Sequence, residues 1–97
     1  MQIGAAKVIL RLPENDNLKG KRRVLHSLTA RLREKFNVAV AEVDSQDQWQ
    51  TITLGITCVS NDGRHANSMI SNVVSYLERI SEDAELLDYE VEVLDGP

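Results

Sequence analysis

Hydrophobic residues alternate with polar or small residues in four stretches of the chain. The first stretch runs from residue 2 to residue 12 and stops at Pro13, and its apolar face comprises Gly4, Ala6, Val8, Leu10 and Leu12. Residues 49–59 alternate in the same way, residues 38–43 form a shorter apolar run, and from Leu87 to Leu94 apolar positions alternate with acidic ones. A period of two is typical of strands with one buried face, so the pattern predicts four strands.

Two segments between these strands have helical spacing instead. Apolar side chains of the first segment fall at Leu18, Val24, Leu25, Leu28, Leu32 and Phe36. Those of the second fall at Ala66, Ile70, Val73, Leu77 and Ile80, behind a cap at Asn61 or Asp62. Each set draws one stripe along a helix. Because the turn-rich residues 44–48 predict a hairpin between the second and third strands, the predicted order is β-α-β-β-α-β.

This order predicts an α+β fold. Since crossover connections within one sheet are right-handed, the economical arrangement is a ferredoxin-like two-layer sandwich, with a four-stranded antiparallel sheet and both helices on one face. A chain of 97 residues is long enough for one such domain, spanning residues 1–97. The other sheet face would be open, and its apolar residues predict a homodimer or another protein partner there. These residues are Ile3, Ile9, Trp49, Val59 and Leu94.

The net charge of −4 conceals a strong asymmetry along the chain. Residues 1–41 carry nine lysines and arginines against three acids, whereas residues 42–97 carry two against twelve. Most of the cations lie in the first predicted helix. At 100° per residue, a basic face forms roughly opposite the apolar stripe, and Lys21, Arg31 and Lys35 fall nearer the edges of that stripe. The basic face comprises Lys19, Arg22, Arg23, His26 and Arg33.

Cations at the start of a helix need an explanation, because that end already carries partial positive charge. Only Glu34 is interleaved with them in the helix. One explanation is internal: Glu14, Asp16 and the acidic second half of the chain offset the field. The other is an external polyanion, since free helix N–H groups together with lysine and arginine favour phosphate. The candidate anion-binding or RNA-binding residues are Lys19, Lys21, Arg22, Arg23, His26 and Arg33.

The runs RLPENDNLKGKRRVLHSL, FNVAVAEVDSQDQWQTITLGI and VSND resemble the YlxP family of small bacterial proteins of unknown function. The resemblance spans nearly the whole chain and implies a ferredoxin-like fold. Genes of this family often neighbour those of translation initiation and ribosome-binding factors, which implies RNA or a ribosomal particle as partner. Gly20 stands where the family usually has Glu, which with Asn17 as N-cap would complete a capping box. The resemblance also marks the hairpin as a possible interface, through Gln46, Asp47, Trp49 and Gln50.

Nothing in the sequence predicts catalysis. It contains no glycine-rich phosphate loop, no Cys/His metal spacing and no nucleophile with an evident base, so we expect a non-enzymatic protein without cofactor, metal or small-molecule substrate. Cys58 falls on the apolar face of a strand and is expected to be a buried thiol. The sequence has neither a membrane-spanning apolar stretch nor a signal-peptide pattern, so we expect a cytoplasmic protein with no membrane partner.

Overall fold

A computed structural model describes residues 1–80 and 83–97. The elements are β1 (Gln2–Arg11), α1 (Leu18–Lys35), β2 (Ala39–Asp44), β3 (Thr51–Ser60), α2 (Gly63–Ile80) and β4 (Glu85–Asp95). The strands pair antiparallel in one sheet, in the order β2-β3-β1-β4. Both helices cover the same face of this sheet, and the other face is open. The ferredoxin-like α+β prediction is confirmed.

The core lies between the sheet and the helices. Alternate residues of the two central strands are fully buried, including Val8 on β1 and Leu54 on β3. The helices add their apolar stripes, with Leu32 of α1 and Ile70 of α2 also fully buried. Asp62 Oδ1 accepts the N–H of Arg64 at 2.8 Å, which identifies Asp62 as the residue that caps α2. The predicted periodicities therefore correspond to the observed buried faces.

Strand β4 departs from simple alternation at one point. Ile9 of β1 pairs with Asp88 whereas Leu10 pairs with Leu86, so Leu87 is the extra residue of a β-bulge. The sequence pattern placed Leu87 on the apolar face, and that placement is wrong: Leu87 is 55% exposed, and Leu86 packs against the core instead. At the bulge, the alternation of β4 side chains between the two sheet faces shifts by one residue. No local feature of the sequence indicates the bulge.

The apolar patch on the open sheet face is smaller than predicted. Ile3 pairs with Val59 on one side and with Leu94 on the other, so these three residues lie side by side at one end of the sheet. Ile9 lies away from them, between Thr53 and Asp88, and Trp49 precedes β3 in the loop. The prediction of one patch that includes all five residues is wrong because the register separates them. In residues 1–80 and 83–97, no helix has the length and apolarity to cross a membrane.

Candidate nucleic-acid interface

Helix α1 begins with a neutral cap and without an acidic residue in its first turn. Asn17 is the N-cap, as predicted: it is extended, with φ −158° and ψ 164°, and its side-chain oxygen accepts the N–H of Gly20 at 2.7 Å. The first turn contains no acidic residue, and Lys19 lies exposed within it. The partial positive charge of the helix terminus and the charge of Lys19 therefore add to each other.

Lys21 has a different environment from the other cations. Its side chain is only 2% exposed, and its Nζ lies 2.9 Å from Glu42 Oε2 on β2. The same ammonium donates to the main-chain carbonyls of Ser45 and Gln46. A buried cation is tolerated only when paired in this way. The assignment of Lys21 to the anion-binding set is therefore corrected: its position at the edge of the apolar stripe turns it inward, and Glu42 neutralises it.

The five residues of the basic face remain at the surface, since Lys19, Arg22, Arg23, His26 and Arg33 are all exposed. Between residues that the structure describes, Lys21 and Glu42 form the only ion pair. Glu14 and Asp16, the nearest acids before the helix, are exposed, and Asp16 accepts a hydrogen bond from Asn17 Nδ2 at 2.7 Å. Direct contact with the residues that the structure describes therefore neutralises Lys21 and not the basic face.

One side of the basic face borders a groove. Arg22, His26 and Arg33 line it from α1, and the edge of β2 forms its opposite wall. Arg33 Nη2 donates to the Val40 carbonyl at 2.8 Å, so one of its nitrogens is occupied by the strand edge. Its guanidinium carries further N–H donors besides this one. The structure thus brings three predicted residues together along the groove, with Lys19 and Arg23 further around the helix.

The hairpin loop, residues 45–50, is fixed against the start of α1. Asn15 Nδ2 donates to the carbonyls of Asn17 at 2.7 Å and Trp49 at 2.6 Å, so a single side chain joins the N-cap to the loop. Trp49 itself is 53% exposed. Asn15 could not be recognised as a bridging residue from the sequence, because its two partners are far apart along the chain and no motif links them. The bridge places an exposed aromatic side chain beside the basic helix terminus.

Gln50 strengthens the same junction. Its carbonyl accepts the N–H of Leu12 at 2.9 Å, and its side-chain amide donates to the carbonyls of Pro13 and Asn15 at 3.3 and 3.2 Å. Of the predicted interface residues, Gln50 is therefore used within the fold, whereas Gln46 and Asp47 are exposed at the loop tip. The loop and the β1–α1 connection form one hydrogen-bonded unit.

Gly20 allows this unit to close. A Cβ atom at position 20 would lie 2.1 Å from Asn15 Oδ1, which is much closer than van der Waals contact permits. A glutamate at this position, as the family resemblance implies, would displace Asn15 from its bridging position. The Asn15 bridge and a capping-box glutamate at position 20 would therefore compete for the same space.

Comparison with known proteins identifies the family of this chain. A profile of the family described as "Protein of unknown function (DUF503)" matches residues 3–91. The chain belongs to this DUF503 family. It is also 31% identical over 80 residues to "Uncharacterized protein YlxP" of Bacillus subtilis strain 168, covering 82% of the present chain and 87% of that relative. The resemblance read from the sequence is confirmed. The DUF503 match includes α1 and the hairpin loop, so the candidate interface lies within the residues that the family profile matches.

Cys58 and His65, which lie outside the candidate interface, have local structural partners. The Cys58 side chain is buried, as predicted, with its Sγ 3.6 Å from the Ala66 carbonyl. His65 Nδ1 lies 3.3 Å from Ser60 Oγ, near the start of α2. No group of three or more His, Cys, Asp or Glu side chains within residues 1–80 and 83–97 has a geometry that would hold a metal ion. The cationic surface of α1 is therefore the feature with the clearest binding chemistry.

Proposed function

We propose that this protein is a non-enzymatic cytoplasmic RNA-binding protein, and that the basic face of α1 contacts the phosphate backbone. The observation that carries the proposal is the exposure of this face without ion pairs to described residues, beside the positive end of the helix. Maintaining adjacent cations there is unfavourable for the isolated fold. A polyanionic partner would convert that unfavourable field into binding free energy.

The geometry supports a division of roles. Free N–H groups of the first helical turn and the Lys19 ammonium would bind one phosphate. Arg22 and Arg23, the next cations along the helix, would hold neighbouring phosphates, since guanidinium donates two parallel hydrogen bonds to phosphate oxygens. Trp49 offers an exposed ring on which an unpaired base could stack. Such contacts recognise backbone and unstacked bases more than sequence, which suits a structured RNA with exposed loops.

Within this proposal, a ribosomal particle is the favoured source of the RNA. The family resemblance implies that association, through genes that neighbour translation initiation and ribosome-binding factors. The contact would be accessory, formed by one small domain against exposed ribosomal RNA. The charge separation along the chain favours an orientation in which α1 faces the RNA, because the acids of β4 would be repelled by phosphate.

Two triple variants with the same change in net charge test the proposal. The first, Lys19→Gln/Arg22→Gln/Arg23→Gln, removes cations from the basic face and leaves Lys21 intact. The control, Lys7→Gln/Arg11→Gln/Arg64→Gln, removes three exposed cations elsewhere. We expect the first to lose co-sedimentation with bacterial ribosomal particles and to weaken binding of labelled ribosomal RNA fragments by at least about tenfold. The control should bind as the wild type does. Equal losses of binding in both variants would contradict the proposal, because they would show only non-specific attraction of charges.

Homodimerisation through the open sheet face is the alternative proposal. It rests on the row of Val59, Ile3 and Leu94, in which Val59 is 63% and Leu94 41% exposed. Sedimentation equilibrium at micromolar concentrations tests it directly. A dimer that Val59→Lys converts to a monomer would support this function, and a wild-type monomer would argue against it. Lysate pull-downs with and without nuclease then separate RNA-dependent partners from protein partners.

A further inference from the structure

The two edges of the sheet are protected to different extents. Strand β2 is only six residues long, has a bulge between Glu42 and Asp44, and has its Val40 carbonyl capped by Arg33. Strand β4, at the other edge, is eleven residues long and pairs only with β1. Short length, bulges and capping side chains are the usual means of blocking edge pairing. These features protect β2 far more than β4.

The hydrogen-bonding direction of β4 follows from the end of its ladder with β1. The Gly96 N–H donates to the Met1 carbonyl at 2.7 Å. Along an antiparallel ladder, hydrogen-bonded pairs alternate with pairs that do not hydrogen-bond each other, and Gly96 and Met1 are a hydrogen-bonded pair. Counting back from Gly96 in steps of two, the N–H and C=O groups of Tyr89, Val91 and Val93 therefore point away from β1. The Tyr89 N–H donates to Asp88 Oδ1 at 2.8 Å. No described side chain or loop hydrogen-bonds the outward groups of Val91 and Val93. These groups form an open template for a further strand.

The side chains of β4 add a specific chemical pattern to this template. Asp88, Glu90 and Glu92 emerge on the open sheet face, opposite Ile9, Lys7 and Ala5 of β1. The strand contains five acids and no cation. Lys7 is the cation nearest in register, and it forms no ion pair with a described residue. On the helix side, Tyr89 is 49% and Val93 37% exposed. One face of the edge is therefore anionic and the other partly apolar.

We propose that the β4 edge binds an extended peptide in which basic residues alternate with apolar ones. The peptide would pair its main chain with Tyr89, Val91 and Val93, as in other strand additions. Its basic side chains would lie opposite Asp88, Glu90 and Glu92, and its apolar side chains would cover Tyr89 and Val93. A second copy of β4 fits poorly, because antiparallel pairing of two such strands would bring acids close to acids. The complementary occupant is therefore a cationic segment of another protein.

Fluorescence anisotropy with three labelled peptides tests strand addition without altering the protein. The first peptide alternates lysine and valine. The second has the same sequence with N-methylated valines, which removes the N–H groups that would face β4 and retains every charge. The third replaces lysine by glutamate. We expect only the first peptide to bind, and we expect amide exchange at Val91 and Val93 to slow when it does.

Protein variants then locate the site. Val93→Pro removes an outward N–H and leaves the bonds to β1 in place, and an edge strand tolerates proline in that orientation. Glu90→Lys/Glu92→Lys reverses the charges that face the peptide. Glu14→Lys/Asp47→Lys changes two exposed acids elsewhere by the same net charge and serves as control. Each β4 variant should weaken binding of the lysine–valine peptide roughly tenfold, and the control should not. Thermal denaturation verifies that each variant is folded.

Several outcomes would overturn the proposal. Equal binding of the N-methylated peptide would show attraction of charges without strand pairing. Failure of the lysine–valine peptide to bind the wild-type protein would show that the acids of β4 only keep the edge free of other strands. A wild-type dimer that Val93→Pro dissociates would identify a second copy as the occupant. Since RNA binding depends on α1, loss of peptide binding with RNA binding retained distinguishes this site from the proposed RNA-binding surface.

Discussion

Lys21 Nζ lies 2.9 Å from Glu42 Oε2, and this contact joins the start of α1 to β2 in the interior of the protein. The same ammonium donates to the carbonyl of Ser45, which has the left-handed φ of 62° that non-glycine residues seldom adopt. One cation at the unfavourable end of the helix therefore has a structural role. Its ammonium hydrogen-bonds the hairpin loop to the helix, and the basic face beside it stays exposed.

Replacing Lys21 with methionine should destabilise the fold by about 3 kcal/mol, because Glu42 would be left as an unpaired and largely buried carboxylate. Urea denaturation measures the change. Lys19→Met removes an exposed cation from the same turn and should alter the free energy of unfolding by no more than about 0.5 kcal/mol. The double variant Lys21→Met/Glu42→Leu should recover much of the loss. Equal effects of Lys21→Met and Lys19→Met would contradict the structural role.

Gly20→Ala should loosen the Trp49 end of the hairpin loop with little change in total stability, while Lys21 and Gln50 still hold the rest of the loop. Alanine improves helix propensity by about 1 kcal/mol, but its Cβ displaces Asn15 and weakens hydrogen bonds of about 1 kcal/mol each. The informative measurement is therefore proteolytic cleavage within residues 45–50, which should accelerate, together with a change in Trp49 fluorescence. Asn15→Ala should produce the same loop exposure. A loop as protected as in the wild type would show that Asn15 does not join it to the helix.

The bulge in β4 makes two adjacent leucines unequal. Leu86→Ala should cost about 2 kcal/mol because Leu86 packs against the core, whereas Leu87→Ala should cost less than about 0.5 kcal/mol because Leu87 is exposed. Chemical denaturation of the two variants provides the comparison. A larger loss of stability for Leu87→Ala than for Leu86→Ala would contradict the bulge and support the unbroken alternation that the sequence pattern predicted.

Elements defined by local periodicity could be predicted from the sequence, and features that depend on distant residues could not. The stripes of α1 and α2 and the alternation of β1 identified the buried faces, and the element order identified the topology. The burial of Lys21 could not be predicted, because it depends on a carboxylate twenty-one positions away on a neighbouring strand. The Asn15 bridge and the position of Trp49 outside β3 depend in the same way on tertiary contacts. The separation of Ile9 from the apolar row could be recognised only from the register of the strands.

The proposal predicts a conflict between stability and binding at Lys19. Lys19→Glu places an anion in the first turn of α1 and should stabilise the fold by about 1 kcal/mol. The same change should weaken RNA binding. Lys35→Glu applies an identical charge change at the other end of the helix, where it should destabilise the fold and remove the cation stacked 5.3 Å from the centre of the Tyr76 ring. Thermal melts that move in the same direction for both variants would contradict the dipole argument.

The salt dependence of RNA binding tests the central claim most directly. The logarithm of the association constant for a labelled ribosomal RNA fragment is measured against the logarithm of salt concentration, for the wild type and for Lys19→Gln/Arg22→Gln/Arg23→Gln. If these three side chains contact phosphates, the slope should flatten by about 2 to 3, because RNA binding releases fewer counterions when phosphate contacts are lost. Folded Lys21→Met protein should retain the wild-type slope. An unchanged slope in the triple variant, or a wild-type protein that does not bind the RNA, would contradict the account.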